Sequence, residues 1–466
     1  MKEKRSSFSS RVGFVLAAAG SAVGLGNLWR FPYLAAKHGG GIFLLVYIIL
    51  AVTFGFALMI TEIAIGRKTR LSCIGAYKAL DKRFGFLGWL ATLVPIIITP
   101  YYCVIGGWVI KYLVAFLSGN ALAAADGGDY FNNFIGFNTG SLGSTMLNFA
   151  GPTPWFILFV LLTTIVVIAG VEKGIEKASR ILMPILVILA IAVAGYSLTI
   201  PGALVGLKYY LLPDFSQFSA STVLGALGQL FYSMSLAMGI MITYGSYMQR
   251  DNILEHSVTQ IEIFDTAIAF IAGLMIIPCV VAFNNGDPSQ INAGPGLMFV
   301  TLPRVFEAMG SAGTIVGIAF FILVLFAALT SSISLLETIV SVAMDKAHLK
   351  RVPATIVMTV IVLLFGLPSC LGYGPWAGIT VIGMQFLDFF DFISNSVLMP
   401  VVAFLTCLLV GHVVGTKVIA DEVKEGSNAF HRERLHRVMI KWVAPVLLVV
   451  ILGTELATKV FGLFSI

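Results

Sequence analysis

At 466 residues, 58% hydrophobic and only 11% charged, the chain lies far from soluble proteins, in which about a quarter of residues are charged. Apolar runs of 18 or more residues recur from end to end, each long enough to cross a hydrocarbon core about 30 Å thick. The formal net charge of +6 is dispersed among short basic segments, which excludes a nucleic-acid partner and points to an all-α polytopic membrane protein in a lipid bilayer.

About eleven spans are expected, at roughly 11–36, 41–66, 86–118, 154–171, 177–200, 219–248, 254–284, 311–344, 352–371, 384–413 and 438–464. The first is interrupted. Gly20-Ser21-Ala22-Val23-Gly24-Leu25-Gly26-Asn27 places three glycines and an Asn inside an apolar stretch, and each Gly costs a helix about 1 kcal/mol relative to Ala. In lipid an unpaired backbone group costs several kcal/mol. The break therefore needs partners from protein, water, ions or substrate. Small residues also let helices approach closely, so this stretch alone fits a tight helix interface equally well.

The sixth span repeats the anomaly. Gly228-Gln229-Leu230-Phe231-Tyr232 runs into Ser233-Met234-Ser235-Leu236-Ala237-Met238-Gly239 before an apolar run resumes at 240–247. Spans one and six are each the first of five, as in an inverted five-plus-five repeat with halves at about 11–200 and 219–413 and an extra helix at about 438–464. Paired interruptions at corresponding positions point to a transporter's midplane site. The eighth span carries Ala327-Ala328-Leu329-Thr330-Ser331-Ser332, whose hydroxyls can also bond back to the preceding turn. Acids within spans are functional candidates by default: Glu62, Asp265, Glu337, Asp388 and Asp391, with Asp345 at a helix end. Near helix ends, Glu337 and Asp388 fit a simply solvated role equally.

Basic segments alternate with sparse ones. Segments 2–5, 67–83, 173–180, 346–351 and 417–441, with Arg250, are rich in Lys and Arg, whereas 119–151 has none. The positive-inside rule then puts the N-terminus in the cytoplasm of a cell-membrane protein. Residues 285–306 are too polar and Gly-rich to span, and read as an external re-entrant or capping loop. The five cysteines show no ligand or disulfide spacing. No A-x-A-like site follows the basic N-terminal residues, which argues against a signal peptide.

Arg11-Val12-Gly13, Gly20 to Asn27 and Leu28-Trp29-Arg30-Phe31-Pro32-Tyr33 together resemble the opening of the neurotransmitter:sodium symporters. Gly39-Gly40-Gly41, Thr61-Glu62, Gly66-Arg67, Gly228-Gln229, Thr243-Tyr244, Ser246-Tyr247 and Leu329-Thr330-Ser331-Ser332 extend the likeness over nearly the whole chain. The eleven-span count is similar to the bacterial branch that carries hydrophobic amino acids. The resemblance implies the leucine-transporter fold, a single transmembrane transporter domain with discontinuous helices one and six, and no enzymatic activity.

It also implies two Na⁺ sites. The first would use the Ala22 carbonyl, Asn27, Ser233, Asp265 and the substrate carboxylate. The second would use carbonyls of Gly20, Val23 and Ala327 with the hydroxyls of Thr330 and Ser331. Hard cations take oxygen ligands, and a broken helix offers carbonyls at its negative end and N–H groups, here near Gly24, Leu25 and Gly26, at its positive end. Amine carriers of the family place an Asp where Gly24 stands, so Gly24 suits a substrate that brings its own carboxylate. The pocket would be completed by Ile98, Tyr102, Tyr232, Ser235, Met238, Ser331 and Leu335. Met238 stands where many relatives have Phe, and the softer side chain implies a pocket for bulky aliphatic and aromatic amino acids.

Asp265 occupies a place where Asn is usual, and Ala269 that of a chloride-binding Ser in animal relatives. Transport is therefore expected to be chloride-independent. Arg30 and Asp391 would close the outer vestibule directly or through water, above a lid of Tyr102 and Tyr232. Arg5 and Asp345 would latch the cytoplasmic side, with Phe8 where relatives often have Trp. Glu62 is expected to accept hydrogen bonds from amides freed at the breaks. Gly174 and Pro184 resemble a G-x₉-P pattern that weakens span five. The function expected is sodium-coupled import of hydrophobic L-amino acids by alternating access. The alternatives are a proton-coupled carrier working through Asp265 and a non-transporting sensor of the same fold. A channel lacks its continuous polar pore in this sequence, and a zinc protease its HExxH motif.

Overall fold

The structure is a computed structural model that describes residues 6–137, 148–288, 291–292, 294–427 and 429–460. Among these, all regular structure is helical, and β-type pairing is limited to two isolated bridges, Gly40 with Pro213 and Val381 with Met384.

Helices stand at the position of each of the eleven expected spans, and among the described residues eight of them, or nine with the bent first pair, are long and apolar enough to cross a membrane. The first is a broken pair, Arg11–Ala22 and Gly26–Lys37, bent by 50°. Then follow Gly41–Thr69, Lys82–Leu117, the shorter Thr153–Ile168, and Val171–Ser197. The sixth is again two pieces, Ala220–Ser233 and Ile240–Tyr247. Leu254–Phe283, Ser311–Ala347, Arg351–Gly372, Phe386–Val413 and Glu433–Lys459 complete the set. Spans three and eight pack along each other at the centre, and the first half-helix of span one lies against spans five, seven and eight.

Each break has a local cause. Span one stops at Ala22 because Val23 turns extended (φ −73°, ψ 100°) while its N–H still bonds Ala19. The second piece starts with the Asn27 side chain reaching back to accept from the Gly24 N–H at 3.1 Å, as the third helical residue of a capping box does. Span six stops because Ser235 (φ +53°), Ala237 (φ +60°) and Gly239 (φ +73°) lie in the left-handed region. Non-glycine residues held there store about 1–3 kcal/mol each and cluster at functional sites.

The loop at 285–306 does not span. Its described part forms a π-type turn, Leu297–Thr301, which leads into a short helix, Leu302–Ala308. Another short helix, Lys417–Lys424, lies between spans ten and eleven. It is fastened by Arg67 from the end of span two, whose guanidinium donates to Glu422 Oε1 at 2.7 Å and to the Asn252 carbonyl at 2.8 Å.

Candidate functional site

The two breaks face one another and enclose a cavity of about 30 Å³, room for little more than one or two water molecules. Of the expected substrate residues, Ala22, Gly24, Leu25, Gly26, Ile98, Tyr102, Tyr232, Ser235, Met238, Ser331 and Leu335 line it. Ser233 sits behind the wall, hydrogen-bonded to Asp265. Ser21 and Ile240 also line the cavity and were not anticipated. Ser21 Oγ lies 3.2 Å from Ser235 Oγ, and Ser235 Oγ donates to the Ser21 carbonyl at 2.9 Å, so the two breaks are joined by a direct polar link.

Close packing explains the glycines. A Cβ at Gly24 would lie 2.7 Å from Ser331 Oγ and 3.0 Å from the Tyr102 hydroxyl. At Gly26 it would lie 2.4 Å from the Tyr232 ring. The Leu25 N–H donates to the Tyr102 hydroxyl at 3.3 Å, and the Gly26 carbonyl accepts from Gln229 Nε2 at 2.9 Å. Backbone groups freed by the break are thus met by side chains from spans three and six. Glu62, fully buried in span two, does the same for the other break by accepting the Ala237 N–H at 2.7 Å.

Two oxygen-rich clusters flank the cavity. In the first, Asp265 Oδ1 accepts from Ser233 Oγ at 2.7 Å and from Asn27 Nδ2 at 2.8 Å. The Tyr47 hydroxyl donates to Ser233 Oγ at 3.1 Å and Asp265 Oδ2 at 3.3 Å. The Asn27 amide nitrogen, rather than its oxygen, therefore faces Ser233 and Asp265. A cation here would draw the amide oxygen round in its place. In the second cluster, Ser331 Oγ lies 3.5, 3.1 and 3.4 Å from the carbonyls of Gly20, Ser21 and Val23. Thr330 Oγ1 lies 3.1 Å from the Ala327 carbonyl, and a Cβ at Gly20 would come within 3.2 Å of Thr330. Apart from the Asn27 nitrogen, both sets present oxygens, one set anionic and one neutral, which suits a hard cation. Among the described residues no cluster of three or more His, Cys, Asp or Glu could hold a softer metal.

On the outer side Arg30 and Asp391, expected to meet directly or through water, each have other near partners. Arg30 stacks over Tyr232, its guanidinium carbon 5.5 Å from the ring centre. Asp391 Oδ1 accepts from the Tyr101 hydroxyl at 3.2 Å and Asn395 Nδ2 at 2.5 Å. Among the described residues these two charges form no direct ion pair. Tyr101 and Asn395 were not anticipated. Asp388 is bonded to the Tyr373 hydroxyl at 2.8 Å.

On the opposite side Arg5 lies outside the described residues, and Asp345 accepts the Ser72 N–H at 2.7 Å. Phe8 is fully buried among Phe14, Tyr244 and Tyr247, and its N–H bonds the Tyr247 carbonyl at 3.1 Å. Glu337 is not a solvated end residue. It is buried, forked by Arg351 at 2.7 and 2.9 Å and bonded by the Tyr247 hydroxyl at 2.7 Å. At the start of span five, Val171–Glu176 is wound as a π-type turn around Gly174. Its Glu176 accepts from the Ser9 N–H at 2.7 Å, from Ser9 Oγ at 2.6 Å and from Arg180 at 2.6 Å. Glu176 carries no motif and was missed.

The profile of the sodium:neurotransmitter symporter family matches residues 5–134 and 129–461. An uncharacterised sodium-dependent transporter of Bacillus subtilis, YhdH, is 35% identical over 432 residues, 92% of each chain. An archaeal one from Methanocaldococcus jannaschii is 32% identical over 96% of this chain and 89% of its own. The crystal structure of MhsT in complex with L-phenylalanine superposes with a TM-score of 0.86 at 37% identity, covering 97% of this chain and all of that one. The fold is the leucine-transporter fold implied by the first motif. The chain belongs to the sodium:neurotransmitter symporter family, a family of membrane transporters and not of enzymes, and is a multi-pass, sodium-dependent transporter.

Proposed function

We propose that the protein imports bulky aliphatic and aromatic L-amino acids by Na⁺ symport and alternating access, without chloride, across the cell membrane with its N-terminus in the cytoplasm. The observation that carries this reading is the cavity between the two breaks, with an oxygen cluster on each flank. The likeness to a structure holding L-phenylalanine supports the substrate class. Gly24 offers no acidic side chain to pair with an ammonium, which leaves the N–H groups of the restarted helix to receive a carboxylate that the substrate itself brings.

The first Na⁺ would be held by Ala22, Asn27, Ser233, Asp265 and the substrate carboxylate, and the second by Gly20, Val23, Ala327, Thr330 and Ser331. Each ion supplies positive charge that makes the buried carboxylates tolerable. Asp265 offsets that charge from within the protein. The α-amino group would be received by carbonyls at Ala22, Tyr232 and Ser233, and the side chain by Ile98, Met238 and Leu335. A cavity of about 30 Å³ must widen to admit an amino acid. The flexible Met238 and the left-handed residues of span six are the parts able to yield.

Closure outside would bring Arg30 and Asp391 across the Tyr102–Tyr232 lid. Inside, the N-terminal segment, Asp345 and the turn around Gly174 would release together. Proteoliposomes containing the purified protein test the reading. An inward Na⁺ gradient in chloride-free buffer is expected to drive accumulation of labelled phenylalanine or leucine. Saturable binding without accumulation would instead indicate a sensor, and uptake under a pH gradient without sodium would indicate proton coupling.

A further inference from the structure

A second cavity lies apart from the central one, where the ends of spans five and seven meet the short helix Leu302–Ala308. It measures about 320 Å³, ten times the central cavity and within the range of small-molecule sites, about 300–1,000 Å³. Tyr196 and Ile200 form one wall, Ala282 and Phe283 the second, and Val305 and Ala308 the third. Its surroundings are exposed and apolar, as suits a surface turned to lipid. Ile188 and Ile191 on span five, and Leu204 and Val205 on the helix Ala203–Leu211 that packs on span seven, are all more than half exposed.

A cation stands beside this cleft. The Arg304 guanidinium is 5.8 Å from the ring centre of Phe283, a wall residue. It precedes Ala308, another wall residue, by one helical turn. Among the described residues Arg304 forms no ion pair, and Glu307 on the same helix makes the helix neutral overall, so any attraction is local to the guanidinium. Lipid tails gain little by leaving other tails for an apolar wall, so an apolar cleft alone would select no lipid. The guanidinium changes this, because its planar fork matches a phosphate.

We propose that this cleft holds one acyl chain of an anionic phospholipid from the adjacent leaflet, with the lipid phosphate on Arg304. The chain lies between spans five and seven on one side and helix Leu302–Ala308 on the other. Phe306 of that helix packs edge-on against Phe116 of span three and at a tilt against Phe320 of span eight. A bound lipid thereby couples bilayer composition to a helix that rests on the transporter's central pair of spans.

Native mass spectrometry of the full-length protein, released from nanodiscs of equal phosphatidylglycerol and phosphatidylcholine, tests this. The wild type is expected to retain one phosphatidylglycerol in preference to phosphatidylcholine, and excess glycerol 3-phosphate is not expected to displace it. Arg304→Gln should reduce that preference at least fivefold, and Ala308→Trp, which fills the cleft, should abolish retention of both lipids. Lys208→Gln, a basic residue on the neighbouring helix, should change nothing. Ala282→Leu serves in place of Ala308→Trp if the tryptophan variant fails to melt cooperatively. Equal retention of the two lipids by the wild type, an unchanged preference in Arg304→Gln, or an equal loss in Lys208→Gln would each overturn the proposal.

Discussion

Ser233 donates its hydroxyl to Asp265 at 2.7 Å, joining the break in span six to the middle of span seven. Asn27 of the other break reaches the same carboxylate oxygen at 2.8 Å, so one acid ties both interrupted helices to an unbroken one. A carboxylate so placed serves as polar glue and, when ionised, as a negative charge beside the first proposed Na⁺ site.

That double role predicts the outcome of Asp265→Asn. The amide keeps the hydrogen-bonding shape and removes the charge, so the fold survives while the cluster's attraction for a cation drops. The half-saturating Na⁺ concentration for uptake in chloride-free buffer should rise about tenfold or more, equivalent to at least about 1.4 kcal/mol. Added chloride should restore part of the loss. Sodium titrations of uptake, with gluconate replacing chloride, measure this, and an unaltered variant would remove Asp265 from the charge balance.

A methyl group at Gly24 would lie 2.7 Å from Ser331 Oγ, a separation that real side chains do not sustain. Gly24→Ala must therefore push Ser331 away from the carbonyls of Ser21 and Val23 or displace Tyr102. Substrate affinity should fall at least tenfold, about 1.4 kcal/mol, with little change in melting temperature. Scintillation proximity binding of labelled phenylalanine measures the first and a thermal-shift assay the second.

Met238 lines the cavity and is 4% exposed. Met238→Phe replaces a deformable thioether by a rigid ring, so the pocket loses room for the largest substrates first. Competition by tryptophan should weaken about tenfold relative to competition by valine or alanine. Full affinity for the bulkiest amino acids would sink the size argument.

The breaks were legible because Gly and Ser interrupt the apolar runs at corresponding places in spans one and six, whereas either stretch alone would also suit close helix packing. The pocket residues followed from a motif tied to those breaks. Tyr47, Ser21 and Tyr101 were not, since a Tyr or Ser on an apolar helix carries no mark of the direction it faces until the neighbouring helix is placed. The separate partners of Arg30 and Asp391 were hidden for a related reason. Sequence pairs opposite charges, but it does not show that Tyr101 and Asn395 lie nearer to Asp391. Glu176 was hidden among loop charges that read only as topology. The conflict between its side chain and a Cβ at Gly13, which would come within 1.9 Å of Oε1, exists only once the N-terminal segment has docked.

Glu176 gathers Ser9 and Arg180 at one carboxylate. Glu176→Gln weakens charge-assisted bonds that contribute about 1.5–3 kcal/mol each when partly buried, and leaves the Arg180 cation without its acid. The N-terminal segment should then detach more often. Hydrogen–deuterium exchange of the peptide covering residues 6–16 should quicken about tenfold in the variant, while peptides of span eight stay unchanged. Equal exchange in both proteins would show that this carboxylate does not hold the segment.

Arg67 and Glu422 are both buried, 0% and 4% exposed, where the end of span two meets the helix between spans ten and eleven. Burial pushes the Glu422 carboxyl above its usual range even though the Arg67 guanidinium beside it acts in the opposite sense. Removing one partner of such a pair strands the other charge and costs about 3–5 kcal/mol, whereas replacing both by apolar residues is often neutral. Arg67→Met should therefore lower the melting temperature strongly at neutral pH, and Arg67→Met with Glu422→Leu should recover most of the loss. The pH dependence has a definite sign. A carboxyl whose pKa is raised by folding binds its proton more tightly in the native state, so the native state is favoured below the raised value and loses stability as the pH climbs through it. Without Arg67 the carboxyl rises further, and the single variant should regain stability as the pH is lowered from 7 toward 5, while the double variant should not follow that trend. Thermal-shift profiles of the three proteins across that range decide the matter, and a single variant as stable as the wild type at pH 7 would mean that Glu422 finds water or another cation when Arg67 is gone.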